Sequence, residues 1–199
     1  MRVERLTVGR LKKIAIYGGT FDPIHHAHLI LARAAIETLE LDKVILVPAA
    51  ISPLKKSAPV ASGEVRLEML QAAIKGEPKF EVNECELLRP PPSYTIDTVE
   101  EIRRRECDVS IYCLIGEDNV EQLPRWHRFV ELEKMVRFVV LDRTGKQPLH
   151  SYQLIHRRLD ISATEIRRRV AQRESIRYLV PESVEEIIQR EKLYREQSQ

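Results

Sequence analysis

The sequence predicts an α/β protein with a Rossmann-like, doubly wound architecture: a mostly parallel sheet with helices on both faces. Three observations predict it. Short apolar runs alternate with longer segments of helical periodicity, as parallel strands and their crossover helices require. The runs at 14–17 and 109–115 end on glycines, Gly18-Gly19 and Gly116, and such sheets bind ligands beyond the carboxyl ends of their strands. The chain has 199 residues, 43% hydrophobic and 31% charged, enough for one α/β domain with a sizeable core.

Ile14-Ala15-Ile16-Tyr17 reads as a buried strand closed by the glycine pair. Residues 28–41, rich in Leu, Ala and Ile with few breakers, read as a largely buried helix. A second strand, 44–47, stops at Pro48, and a loop containing Pro53 and Pro59 follows. Val65, Leu67, Met69, Leu70, Ala73 and Ile74 recur at helical spacing over 64–74. Residues 80–87 alternate as a strand does. Pro90-Pro91-Pro92 breaks the chain before a helix at 94–105, where Ile96, Val99 and Ile102 lie three apart. Strands are expected at 109–115 and 137–141, and helices at 161–170 and 182–193. The most linker-like stretch, 144–151, is expected to be a surface loop. No repeat, low-complexity tract or domain-sized linker intervenes, so residues 1–199 are expected to form a single domain.

Composition excludes several classes. The net charge of +2 is too near balance to argue for nucleic acid or an acidic membrane as partner. Residues 1–13 lack the apolar block of a signal peptide, and no segment has the length of a membrane span. Cys85, Cys107 and Cys113 fit no C-x-x-C metal or redox spacing. Together these features predict a soluble, cytoplasmic protein.

The first chemical signal is Gly18-Gly19-Thr20-Phe21-Asp22-Pro23-Ile24-His25-His26-Ala27-His28. It leaves the first strand and enters the first long helix. Glycine lets the backbone turn tightly and approach a ligand, and the N–H groups at a helix start favour an anion. His25 and His28, three residues apart, then suit one phosphate. Solvated or capping histidines, or a zinc site, are the alternatives; for zinc no third ligand is evident. Neither a G-x-G-x-x-G fingerprint nor a Walker loop is present.

The second signal is Ile161-Ser162-Ala163-Thr164-Glu165-Ile166-Arg167. Ser162 and Glu165 have the spacing of a capping box. The hydroxyls of Ser162 and Thr164, with Arg167 one turn in, also make a second anion site suited to a β/γ-phosphate leaving group. Arg168, Arg169 and Arg173 read as a solvated face.

These two stretches resemble the signatures of the H-x-G-H nucleotidyltransferase superfamily, H-x-G-H after strand one and I-S-S-T-x-x-R near the C-terminus. Within it the chain resembles the nicotinate mononucleotide adenylyltransferases. Ser93-Tyr94-Thr95-Ile96-Asp97-Thr98 is similar to that family's S-Y-T-x-D-T. Ile115-Gly116-Glu117-Asp118 and Leu123-Pro124-Arg125-Trp126-His127 are similar to its G-x-D and L-x-x-W segments. The likeness spans roughly 13–194. The chain departs from the pattern at Ala27, where the family has Gly, at Leu54, where it has His, and at Ala163, where it has Ser.

The resemblance implies transfer of AMP from ATP to a pyridine mononucleotide, most simply nicotinate mononucleotide, in NAD biosynthesis. Gly18, Gly19, Thr20, Phe21, His25, His28, Gly116, Asp118, Ile161, Ser162, Thr164 and Arg167 would bind ATP, the helical part from about residue 160 completing that site. His28, His25 and Arg167 would carry the catalytic role. Lys55, Thr95, Trp126 and Arg143 would hold the mononucleotide. Mg²⁺ would arrive on the ATP phosphates, with no protein metal ligands. For Asp118 a helix N-cap, for Trp126 packing, and for Lys55 a solvated loop stay open as alternatives. So do another acceptor such as nicotinamide mononucleotide, a non-catalytic nucleotide-binding module, and a homo-oligomer.

Overall fold

In the computed structural model, the described residues are 11–51, 58–106, 108–145 and 150–195. Six strands form one sheet: β1 (Lys12–Gly19), β2 (Lys43–Pro48), β3 (Phe80–Val82), β4 (Val109–Gly116), β5 (Arg137–Asp142) and β6 (Gln153–His156). Their order is β3-β2-β1-β4-β5-β6, and every pairing is parallel. The expected doubly wound sheet is therefore present.

The strands are apolar on both faces because each face carries its own core. Ala15, Tyr17, Val44, Leu46, Tyr112, Leu114, Val139 and Leu141 pack in one cluster, which takes in residues of α1 (His26–Leu39), α2 (Gly63–Ala73), α6 (Ala163–Ala171) and α7 (Glu182–Arg190). Ile14, Ile16, Ile45, Val47, Ile111, Cys113, Ile115 and Val140 pack in the other, with residues of α3 (Cys85–Leu88), α4 (Thr95–Arg105) and α5 (Phe129–Met135). The alternation along each strand is the period of two that a pleated sheet imposes.

Three expectations need correction. The strand expected over 80–87 ends at Val82, because Asn83 Oδ1 accepts the Cys85 N–H at 2.9 Å and turns the chain into α3. Immediately after the 144–151 stretch, sequence reasoning missed β6, a four-residue strand that lies parallel to β5 at the sheet edge. The long helix also begins earlier than expected, at His26. No helix among the described residues is long and apolar enough to cross a membrane.

The sheet positions the site by its order. From β1 the chain winds outward through β2 and β3, then returns to β4 on the other side of β1. The crevice at that reversal, beyond the carboxyl ends of β1 and β4, is where such a sheet leaves room for a ligand.

Candidate active site

A cleft of about 430 Å³ occupies the reversal point. Its lining includes Gly18, Gly19 and Thr20 from the end of β1, and Gly116 and Asp118 from the end of β4. Thr95, at the start of α4, and Trp126, after the 3₁₀ helix Glu117–Arg125, line it too. Seven of the residues expected to bind nucleotide or acceptor therefore meet in one cavity. The Trp126 indole packs edge-on to Phe138 with ring centroids 6.1 Å apart. Its Nε1 is buried without a protein partner among the described residues, and a buried indole N–H usually finds an acceptor.

The turn after β1 is built around Phe21. That residue adopts left-handed backbone (φ 48°), a conformation held only where the surroundings enforce it. Its ring lies edge-on to Tyr17, at 5.7 Å, and to His28, at 5.1 Å. A Cβ on Gly19 would come within 2.9 Å of the Phe21 ring, so glycine is required there by close approach.

His25 and His28 stack on each other, ring centroids 3.7 Å apart. His28 Nδ1 accepts the His25 backbone N–H at 3.3 Å. His25 is 1% exposed, and its Nδ1 is buried without a partner among the described residues. Burial above all, then the positive charge of Arg143 and the neighbouring His26, pushes its pKa down to about 3. The imidazole is thus neutral at any working pH. The helix start offers fewer donors than expected, because the His26 N–H is taken by the Leu179 carbonyl at 3.0 Å.

The second signature reaches the first. Arg167, on α6, donates from Nη1 to the Asp22 carbonyl at 2.7 Å and from Nη2 to Thr164 Oγ1 at 3.3 Å. The capping box is half made: Ser162 Oγ accepts the Glu165 N–H at 3.1 Å, while the Glu165 carboxylate turns to Arg168. Arg143, just past β5, donates to the Ile161 carbonyl at 2.8 Å. Its charge is also felt at His25 and Tyr17. Phe21, His25, His28, Ile161, Ser162, Thr164, Arg167 and Arg143 stand outside the cleft's lining; the histidines, Arg167 and Arg143 gather around the β1 turn instead. Lys55 and Leu54 lie outside the described residues.

Sequence reasoning missed several residues. The Asp22 carboxylate, 5% exposed, accepts the N–H groups of Val60 (2.8 Å) and Ala61 (3.1 Å) and the Tyr194 hydroxyl (2.7 Å). Arg66 is buried in α2 and donates to the carbonyls of Thr20 and Ala49, both at 2.8 Å, and to that of Ala61 at 3.3 Å. Its signal was available: a charge on the face that carries Met69 and Leu70. Glu86, Ser93, Tyr94 and His127 also line the cleft. Tyr94 and His127 stack at 4.3 Å. Glu86 accepts the Thr98 hydroxyl at 2.7 Å, and burial raises its pKa despite that bond.

The donors around the histidines are imidazole, hydroxyl and guanidinium groups, a set that fits phosphate oxygens rather than a bare cation. Among the described residues no three His, Cys, Asp or Glu side chains cluster to hold a metal.

Residues 16–169 match the cytidylyltransferase-like family. A protein of Methylacidiphilum infernorum named "Probable nicotinate-nucleotide adenylyltransferase" is 41% identical over 187 residues, covering 92% of each chain. A protein of Geobacillus thermodenitrificans with the same name is 42% identical over 185 residues, covering 92% of this chain and 86% of its own. Among solved structures, a Plasmodium falciparum nicotinic acid mononucleotide adenylyltransferase complexed with NaAD superposes with a TM-score of 0.73. It covers 92% of this chain and 97% of its own at 21% identity, a likeness of fold.

Proposed function

This chain belongs to the cytidylyltransferase-like family and, within it, to the nicotinate-nucleotide adenylyltransferases, and from that premise we propose that it transfers AMP from ATP to nicotinate mononucleotide. The products are nicotinate adenine dinucleotide and pyrophosphate. The observation that carries the reading is the bond from Arg167 to the Asp22 carbonyl, across 145 residues of sequence. It sets the α6 start beside the loop that bears His25 and His28, so that imidazole, hydroxyl and guanidinium donors converge as a triphosphate requires.

A phosphate oxygen of the mononucleotide attacks the α-phosphorus of ATP in line, and the bond from that phosphorus to the bridging oxygen breaks as pyrophosphate leaves. No protein nucleophile takes part. Catalysis comes from positioning and from donors aimed at the crowded phosphorus. His28 is the first such donor. Neutral His25 stacks beneath it and fixes its ring. Ser162, Thr164 and Arg167 take the β- and γ-phosphates, with the Ile161 backbone beside them. Gly18, Gly19, Thr20, Gly116 and Asp118 hold the adenosine side, while Thr95 and Trp126 hold the pyridine ring. Arg143 and Lys55 balance the acceptor's phosphate. Mg²⁺ would enter on ATP, held by phosphate oxygens and water rather than by protein side chains, and would supply neutralising charge there. The whole chain acts as one cytoplasmic catalytic unit, and its partners are the two nucleotides.

The test is a paired assay of pyrophosphate release, with nicotinate mononucleotide or its amide as acceptor and ATP with Mg²⁺. The expected result is release with both and a higher kcat/KM for the acid. A higher value for the amide reassigns the acceptor. ATP binding without release from either makes the protein a nucleotide-binding module.

A further inference from the structure

Arg143 is carried on a turn that is held more tightly than an exposed loop requires. Asp142, the last residue of β5, is 2% exposed. Its carboxylate accepts the Thr144 N–H at 2.7 Å, the Thr144 hydroxyl at 2.9 Å and the Gly145 N–H at 3.0 Å. The fourth contact is His156 Nδ1, at 2.8 Å. Burial opposes the charge, but these bonds together hold the Asp142 pKa below the usual carboxylate range. Asp142 is thus an anion around which the turn is wrapped.

The turn is fixed from its other side as well. Gly145 has φ of 71°, and a Cβ there would come within 2.9 Å of the His156 ring. His156 ends β6, the edge strand that pairs with β5. Beyond it, the Arg157 N–H donates to the Asp142 carbonyl at 3.0 Å and the Leu159 N–H to the Arg143 carbonyl at 3.2 Å. The segment leading to Ile161 is therefore laid along the same turn. Arg143 then donates to the Ile161 carbonyl, one residue before the Ser162 cap of α6.

We infer that Asp142 and His156 are positioning residues, which act through Arg143 to set the second phosphate-binding segment against the histidine pocket. The inference rests on the adenylyltransferase reading for its substrates, and on the bonds above for its geometry. Neither residue lines the cleft. Their carboxylate–imidazole clamp fixes the turn, the turn fixes the guanidinium, and the guanidinium is bonded to the Ile161 carbonyl while its charge reaches His25 and Tyr17.

A merely structural Asp142 and a positioning Asp142 differ in how they combine with Arg143, so the experiment is a double-mutant cycle. Asp142→Asn, Arg143→Ala and the double variant are compared for kcat, for KM of each substrate and for ATP affinity. Asp142→Asn is expected to lower kcat on the order of 10- to 100-fold, as small misplacements at a reacting centre do, and to weaken ATP binding. The double variant is expected to lose no more than the larger single loss. His156→Ala leaves the other three contacts to Asp142 in place and serves if Asp142→Asn does not fold. Its expected loss is on the order of 10-fold, and that loss should vanish in the Arg143→Ala background. Losses that multiply between backgrounds, or an Arg143→Ala variant with unchanged kcat and ATP affinity, overturn the inference. A wild-type protein that binds ATP but releases no pyrophosphate overturns the adenylyltransferase reading alone, because the cycle still decides the inference through ATP affinity.

Discussion

At the scale of single residues, the site depends on groups kept in one charge state. His25 has a folded pKa near 3 against an ordinary 6.5, so as pH falls the unfolded chain takes up its proton first. The stability due to neutral His25 is complete above pH 6.5 and drains away as pH drops toward 3. By pH 5 the loss is about 2 kcal/mol. Thermal unfolding from pH 7.5 to 5 should show it, and a His25→Asn variant should show a shallower fall over that range. Glu86 runs the other way. Burial raises its pKa, so the folded state binds its proton more tightly than the unfolded one. Its stabilising effect is present at low pH and lost as pH rises. Glu86→Gln, which keeps an acceptor for Thr98, should therefore raise Tm at pH 8 and leave it unchanged at pH 4. For His28, loss of a preorganised donor predicts that His28→Ala lowers kcat roughly 10²- to 10³-fold, measured by pyrophosphate release.

At the scale of elements, the critical piece is the turn from β1 into α1. Gly19 leaves room for the Phe21 ring, which bears on His28. Gly19→Ala overpacks that contact, with an expected stability loss of about 1–3 kcal/mol. Turnover should fall with it as His28 is displaced, whereas the same change at Gly18, where an added Cβ meets no protein atom within 4 Å, should cost little stability. Paired Tm and kcat measurements on the two variants decide it. The elements readable in the sequence were those with a regular apolar pattern: β1, β2, β4, β5, α1, α2, α4, α6 and α7. Those missed or drawn too long were short or locally overruled. Three paired residues make β3, and the Asn83 side chain converts the rest of its apparent pattern into α3. In β6 the four residues Gln153, Leu154, Ile155 and His156 are half polar, and only pairing with β5 makes them a strand. The candidate site divides the same way. Residues adjacent in sequence, the glycine pair with the histidines and the Ser162 cap, were legible. The contacts of Asp22 and Tyr194 join segments far apart in the chain, and no local pattern encodes them.

At the scale of the molecule, those long-range contacts tie the C-terminal third to the candidate site. Asp22 lies between the two halves of the proposed phosphate site. Its carbonyl receives Arg167 from α6, and its carboxylate receives Tyr194 from beyond α7 together with the Val60 and Ala61 N–H groups. The Leu179 carbonyl adds a further tie to the start of α1. The turn that presents His25 and His28 is thus braced by residues nearly the length of the chain away. Tyr194→Phe removes one hydrogen bond to a buried carboxylate and leaves the ring's packing in place. A bond of that kind contributes about 1.5–3 kcal/mol. Denaturant unfolding should therefore show that loss, with an unchanged slope if folding remains cooperative. Because Asp22 also holds Arg167 through its carbonyl, the same variant should raise the KM for ATP more than that for the mononucleotide. Equal effects on the two would mean that Tyr194 anchors the C-terminal segment without bearing on the triphosphate site.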